Sequence, residues 1–451
     1  MNRPACRLTF DDRHAHISAG LVVLMAWLSA VGSCHAGDLT DLERAPIRYS
    51  ADDVDDPVSR LARKVASGEL RMEFREPRGY LDSVLQQLKV SPSSQMLVFS
   101  KTSLQQRWIT PHTPRAVYFN DDVYVGWVQH GEMLELSAVD PHKGANFYTV
   151  RQRAVERPAF NRSTGECLQC HASPRTRGVP GHIMRSVWPD ATGLPVFNVG
   201  TRDTTHRSPF SERWGGWYVT GTHGRQLHMG NVFTTNRDDP QLDFAKGANV
   251  TELGQHLDTR PYATSHSDIV ALMVFAHQID VHNCITRANY LTRRAEEHQK
   301  GIREALGRTD KEHELALERR VEYAAKPLVE ALFFVNEPRL RQPVRGTSLF
   351  SKEFMALGPR DQHGRSLRDL DLDHRLFLRP LSFLIYSEAF GALPARAKQH
   401  VLRRVWEVLT GRDAHQEFAH LSESTRGEVL AVLLETLPDL PSYWRPRRRR
   451  L

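Results

Sequence analysis

The chain has 451 residues, of which 25% are charged, with a formal net charge of +7 and five cysteines. This length is enough for two or three domains with ordinary hydrophobic cores. The positive charge does not indicate nucleic-acid binding, because part of the surplus is one terminal run of arginines at 445–450. Five scattered cysteines cannot form the disulfide framework of a small secreted domain.

Residues 1–36 are typical of a secretory signal peptide. Three arginines precede an apolar run at 20–31, and small residues flank a cleavage point after Ala36. The run is too short to span a bilayer comfortably. A second interpretation is a lipoprotein signal, because small residues lead into Cys34. The sequence therefore predicts export, followed either by release or by a lipid tether.

Residues 37–157 predict an N-terminal helical arm followed by a small antiparallel β-rich domain. Apolar spacing indicates helices over 58–67 and 79–90. Short runs rich in β-branched and aromatic residues, separated by turn residues, indicate five strands at 96–100, 116–120, 123–129, 133–139 and 146–150. No catalytic constellation appears on this predicted sheet.

Residues 158–236 are rich in Gly, Pro, His and Trp and contain the motif Cys167-Leu168-Gln169-Cys170-His171. This is the C-x-x-C-H pattern of covalent c-type haem attachment. Each thiol adds to one haem vinyl group, and the histidine that follows is held beneath the iron as the proximal ligand. The motif predicts one haem c bound through Cys167, Cys170 and His171.

Three other interpretations of the two cysteines compete with haem. A thioredoxin-like redox pair needs a strand before the motif and a helix that opens at it, whereas 161–165 has the composition of a loop. A zinc site would use two histidines further along, and a disulfide would close a strained ring. None of the three requires a histidine directly after Cys170.

Two arginines follow the motif closely. Arg175 and Arg177 could pair with the haem propionates, because a guanidinium group matches a carboxylate in shape and charge. The alternative for both side chains is simple exposure to solvent.

The segment 214–231 is predicted to cover the side of the haem opposite His171. A strand over 217–222 and a turn over 224–227 would place His223 opposite His228, with Met229 beside them. His223, His228 and Met229 are therefore candidate sixth ligands of the iron. Further candidates, each of which could instead be a packed core residue, are His182, Met184, His206, His277 and His282.

Residues 265–444 predict a large α-helical domain, and 445–451 a basic tail. The longest amphipathic pattern covers 269–306, and further helices are predicted over 310–335, 366–390, 394–411 and 422–436. Together with the predicted sheet, this gives an α+β fold in which the haem segment is rich in loops.

Several long motifs carry a family resemblance. The stretches CLQCHASPRTRGVPGH, SPFSERWGGWYVTGTHGRQLHMGN, QMLVFSKTSLQ, YFNDDVYVGWVQ and LTGRD resemble a family of exported bacterial proteins known only as cytochrome c domain-containing. The resemblance covers residues from about 45 to Trp444 and leaves out the basic tail. It implies a single covalent haem at Cys167, Cys170 and His171, and no particular reaction.

The expected function is single-electron transfer by an exported, periplasmic monohaem c-type cytochrome with redox partner proteins. The alternatives are a haem-dependent redox enzyme acting on peroxide or a small periplasmic substrate, and a haem-based sensor. A membrane partner is expected only through a lipid at Cys34 or through the basic tail.

Overall fold

The computed structural model describes residues 39–307 and 311–445. The predicted signal peptide at 1–36, the predicted lipid site at Cys34 and the tail arginines beyond Arg445 lie outside the described residues.

The described chain folds into ten α-helices, ten strands and several short 3₁₀ turns. The helices are α1 Leu39–Glu43, α2 Pro57–Ser67, α3 Leu81–Gln87, α4 Leu168–His171, α5 Ile269–Leu306, α6 Lys311–Leu332, α7 Phe350–Ala356, α8 Glu388–Gly391, α9 Ala395–Leu409 and α10 Glu423–Thr436. The strands are β1 Met96–Val98, β2 Arg115–Phe119, β3 Val123–Trp127, β4 Met133–Asp140, β5 Gly144–Arg151, β6 Phe160–Ser163, β7 Arg185–Val187, β8 Thr201–Asp203, β9 Gly221–Thr222 and β10 Arg345–Gly346.

The first six strands form one antiparallel meander in chain order, which confirms the predicted α+β class. Side chains alternate between the two faces of a strand. Val117 and Phe119 belong to the core cluster that contains the long helix, whereas Ala116 and Tyr118 belong to the cluster that contains α2 and α3. Strands β1 to β3 are therefore buried on both faces, which explains why they are almost wholly apolar.

Helix α5 is the centre of the fold. Asp268 caps its first turn, with Oδ1 accepting hydrogen bonds from the backbone of Val270 and Ala271, 2.8 and 3.2 Å away. Its apolar residues share one cluster with β1–β4, with the segment 184–219 and with the C-terminal helices. Among the described residues, α5 alone is long and apolar enough to cross a membrane, yet its most apolar window is entirely buried within the protein.

The helices predicted at 58–67, 269–306, 394–411 and 422–436 form with shifts of at most two residues, but the helix predicted over 366–390 is wrong. Asp371 Oδ1 there accepts the backbone N–H groups of Asp373 and His374, at 3.0 and 3.1 Å, and Pro380 follows. Aspartate side chains compete with helical hydrogen bonds, and proline cannot supply one. Only a 3₁₀ turn at Phe383–Tyr386 and the short helix α8 form in this range.

Candidate haem-attachment site

The motif lies directly after a strand that the sequence did not predict. Strand β6 pairs with β5 at the edge of the meander, so the loop predicted at 161–165 is wrong for residues 161–163. A strand therefore precedes the motif and a helix opens at it, as a thioredoxin-like pair would need. The strand is antiparallel and the helix has four residues, whereas a thioredoxin-like motif belongs to a βαβ unit.

The three motif side chains share one helical turn. The His171 N–H donates to the carbonyl of Cys167 at 2.9 Å, which closes the turn. Positions i, i+3 and i+4 of a helix face the same way, so both thiols and the imidazole lie on one side. Cys167 is half-buried and Cys170 is exposed, and neither forms a disulfide. Both thiols are therefore placed to bond a single planar group lying over that side.

The turn is anchored by apolar packing. Leu168 and Ala172 are buried in a small cluster with Phe147, Val179 and Tyr290, and Cys167 packs against the same cluster. Burial raises the pKa of the Cys167 thiol, partly offset by a hydrogen bond with Ser163. The cluster therefore fixes the motif to β5 and to helix α5.

His171 has the hydrogen bonding expected of a metal ligand. Its Nδ1 lies 2.9 Å from the carbonyl oxygen of Gly181, which can only accept, so Nδ1 carries the proton. The Nε2 lone pair is then left for iron, and a bond of this kind usually fixes the ring of a ligating histidine. Burial lowers the pKa of His171, which keeps the ring neutral, as ligation requires.

The loop from the motif to His182 folds back against His171. Gly181 N–H donates to the His171 carbonyl at 2.8 Å, so the two residues exchange hydrogen bonds. A side chain at Gly181 would overlap Asn283 Oδ1, so only glycine fits there. Asn283, on α5, accepts from the His182 N–H at 3.0 Å and donates to the His182 carbonyl at 2.8 Å. Asn283 thus holds His182, the neighbour of Gly181, whose carbonyl orients His171. The sequence analysis did not single out Asn283.

His182 is a second histidine with a free lone pair near the motif. Ser137 Oγ donates its hydrogen to the carbonyl of Asn146, so it accepts from His182 Nε2 at 2.8 Å. The buried Nδ1 of His182 is left without a partner among the described residues. The rings of His182 and His171 both pack on Phe147, with centroids 5.9 and 4.6 Å away.

His223 and His228 differ from His171 and His182 because neither has a free lone pair on its ring. Their rings meet with centroids 4.7 Å apart, but the predicted hairpin is wrong, because β9 pairs with β10 instead. His228 Nδ1 accepts the N–H of Gly230, and His223 Nε2 accepts the N–H of Asn249, both at 3.0 Å. The only lone pair of each neutral ring is therefore occupied by the backbone.

Met229 is buried beside this pair of histidines. Its sulfur lies 3.7 Å from Ser186 Oγ on strand β7. The side chain of the preceding strand residue, Arg185, lies on the other face of β7, because side chains alternate along a strand.

Arg175 and Arg177 are both paired with carboxylates of the protein. Arg175 contacts Asp203 at 2.6 Å, and Arg177 contacts the buried Asp280 on α5 at 2.8 Å. Arg185 forms no such ion pair with the described residues. It donates to Thr201 Oγ1 at 3.2 Å, and its buried Nε has no partner there. Burial lowers its pKa, as does the neighbouring Arg175. Arg185, a residue that the sequence did not single out, is therefore a guanidinium group beside β7 without an ion-pair partner among the described residues.

Comparisons with family models, with curated proteins and with solved structures give no match to this chain. Within 39–307 and 311–445, no group of three or more His, Cys, Asp or Glu side chains could hold a metal ion. A haem iron needs at most two protein ligands, so this second finding does not bear on the motif.

Proposed function

We propose that this protein is an exported monohaem c-type cytochrome that transfers single electrons. One observation carries the proposal: Cys167, Cys170 and His171 share one face of a helical turn, and His171 donates Nδ1–H to Gly181 so that Nε2 is left for iron. A redox disulfide would not need the histidine to be oriented in this way. The proposal is also supported by the resemblance to exported cytochrome c domain-containing proteins.

The haem would supply reversible one-electron chemistry between ferrous and ferric iron. The residues of this chain have separate tasks around it. Cys167 and Cys170 would hold the ring, and His171, oriented by the Gly181 carbonyl, would bind the iron, while the buried cluster beneath Leu168 fixes the turn. Because Cys170 is exposed, a ring bonded to it would be accessible to a partner protein.

The test is haem staining after denaturing electrophoresis of protein made in a host with the attachment machinery. Thioether bonds survive denaturation, so the unmodified protein should stain. The variant C167A/C170A should not stain, whereas C284A, which removes the buried cysteine of α5, should stain normally. A double variant that stains like the unmodified protein overturns the proposal.

A haem-dependent redox enzyme is the second candidate, favoured by the hydrogen bonding of His223 and His228. Since the backbone occupies the lone pairs of both rings, neither is free to close the sixth position of iron. An open position would bind carbon monoxide and cyanide rapidly. A closed six-coordinate spectrum that ignores both ligands supports electron transfer, and rapid binding supports the enzyme.

A further inference from the structure

A pocket of about 730 Å³ opens on the side of the protein that carries the His223–His228 pair. Its volume is within the range of ordinary small-molecule sites, roughly 300–1,000 Å³. Its walls come from three places in the chain: 209–211, 225–227 and 338–342. None of the motif residues lines it.

Three arginines line the pocket, with no Asp or Glu in its walls. They are Arg225, Arg339 and Arg341, all exposed. Among residues 39–307 and 311–445, no carboxylate pairs with any of the three, and their guanidinium groups make no hydrogen bond there. Most surface arginines near the motif, such as Arg175, do have an acidic partner. Three unneutralised guanidinium groups around one cavity favour an anionic ligand.

The frame of the pocket is rigid although it is made of loops. Gln342 Oε1 accepts the Arg225 N–H at 2.6 Å, and Gln226 Oε1 accepts the Arg341 N–H at 2.8 Å. Gln226 Nε2 also donates to the Gln342 carbonyl at 2.9 Å. Two glutamine side chains thus fasten the two arginine-bearing loops to each other. Loops fixed in this way keep the backbone positions of the arginines in place before a ligand arrives, so only the side chains must be ordered on binding.

The remaining wall is apolar. Phe210 packs on Trp214 and on both rings of the His223–His228 pair, with centroids 5.2 to 6.0 Å apart. Leu227, which is 39% exposed, lines the same cavity. A site with arginines on one side and an aromatic ring on the other suits a ligand with two or more acidic groups on a small carbon framework.

We propose that this pocket binds a small organic polyanion, a di- or tricarboxylate or a phosphate ester, through Arg225, Arg339 and Arg341. The site does not depend on the haem proposal, because it shares no residue with the motif. Carboxylate and phosphate groups both match a guanidinium fork, so the two chemistries are separated by experiment.

The test is isothermal titration calorimetry of the full-length protein with citrate and, separately, with glycerol 3-phosphate, at low ionic strength. One of the two should bind with one-to-one stoichiometry, and the stronger one identifies the acid group. The variant R225Q/R339Q/R341Q should bind it at least about tenfold more weakly, since each lost charged hydrogen bond costs ~1.5–3 kcal/mol and 1.4 kcal/mol is a factor of ten.

The control is R151Q/R153Q/R319Q, which removes the same three charges from exposed arginines outside the pocket. It should bind within about twofold of the unmodified protein, because those side chains do not contact the ligand. A third variant, Q342A, keeps every charge but removes the brace to Arg225, and should also weaken binding. The proposal is overturned if neither anion binds the folded protein, or if the control loses as much affinity as the pocket variant.

Discussion

His171 Nδ1 lies 2.9 Å from the carbonyl oxygen of Gly181, and the Gly181 N–H donates a hydrogen bond of 2.8 Å to the His171 carbonyl. The first of these two hydrogen bonds, to a loop residue ten positions after the histidine, sets both the tautomer and the direction of the imidazole. The imidazole is thus oriented by the chain itself, as the proposed haem site requires.

Removing the imidazole should separate attachment from ligation. In His171→Ala both thioether bonds can still form, but the proximal ligand is gone. We expect haem staining to persist on denaturing gels, while the low-spin absorption spectrum is lost. An unchanged spectrum would show that another residue holds the iron.

The sixth ligand should not be His223 or His228. Since the backbone N–H groups of Asn249 and Gly230 occupy their lone pairs, His223→Ala and His228→Ala should each keep the spectrum and the reduction potential of the unmodified protein. A high-spin spectrum in either variant contradicts this prediction. The measurement is absorption spectroscopy combined with redox titration.

Met229 and His182 are then compared in the same assay. A thioether ligand gives ferric haem a weak near-infrared band and a higher potential than a second imidazole. Loss of that band in Met229→Ala assigns the ligand to sulfur, and a high-spin spectrum in His182→Ala assigns it to imidazole. If neither variant changes, either the sixth position is open or a further candidate, Met184, His206, His277 or His282, closes it. Rapid binding of carbon monoxide to the unmodified protein identifies the open position.

Asn283 should control the haem environment from helix α5. Asn283→Ala removes both hydrogen bonds to His182, so the Gly181 carbonyl is held less firmly against His171. We expect a shifted potential and loss of about 1–3 kcal/mol of stability, because a buried backbone group is left unpaired. Asn289→Ala is the matched control. Asn289 is on the same helix and is also buried, but its side-chain amide donates a hydrogen bond of 3.2 Å to the carbonyl of Pro141, away from the motif. It should lose stability without shifting the potential.

The sequence was sufficient where burial leaves a clear pattern of residue types. The strands from 96 to 150 were predicted because their runs are rich in β-branched and aromatic residues and are separated by turn residues, and α5 was predicted because its apolar spacing continues for 38 residues. Strand β6 was missed because three of its four residues are polar and all four are exposed or half-buried. Its pairing with β5 supplies the order that its own composition does not.

The candidate site was predicted only as far as local spacing allows. Cys167, Cys170 and His171 are recognisable because the chemistry needs them within five residues. Asn283 lies 101 residues from His182, so its role depends on tertiary packing that spacing does not encode. Nor does composition reveal that the ring lone pairs of His223 and His228 are occupied. The N–H of Asn249, 26 residues away, occupies one, and the N–H of Gly230, two residues away, occupies the other.

Asp280 should stabilise the loop after the motif through a partly buried ion pair. Asp280→Asn leaves Arg177 without its carboxylate. The expected loss is about 2 kcal/mol, below the ~3–5 typical of a fully buried pair because Arg177 keeps 27% of its side-chain exposure. The control is Asp203→Asn, whose pair with Arg175 is more exposed and should contribute at most about 1 kcal/mol. Urea unfolding of both variants measures the difference. Equal losses would mean that burial of Asp280 does not matter.

Stability should fall in mild acid because histidines are buried in the neutral form. Burial lowers the pKa of His282 to about 3, whereas an unfolded histidine titrates near 6.5. Between these values the unfolded chain binds one proton more than the folded chain at this residue. The free energy of unfolding therefore decreases as pH falls below 6.5, by ~1.4 kcal/mol per pH unit for His282, or about 2 kcal/mol at pH 5.

The variant His282→Gln isolates this contribution. At pH 7.5 it should be less stable than the unmodified protein by about 1–2 kcal/mol, because Tyr124 loses its bond of 2.9 Å to His282 Nδ1. At pH 5.0 the difference should disappear or reverse, since glutamine does not titrate. Exposed His142 provides the control, and His142→Gln should follow the unmodified protein at both pH values. If urea unfolding gives His282→Gln the same deficit at pH 7.5 and pH 5.0, then His282 is not the buried neutral residue that its 2% exposure indicates.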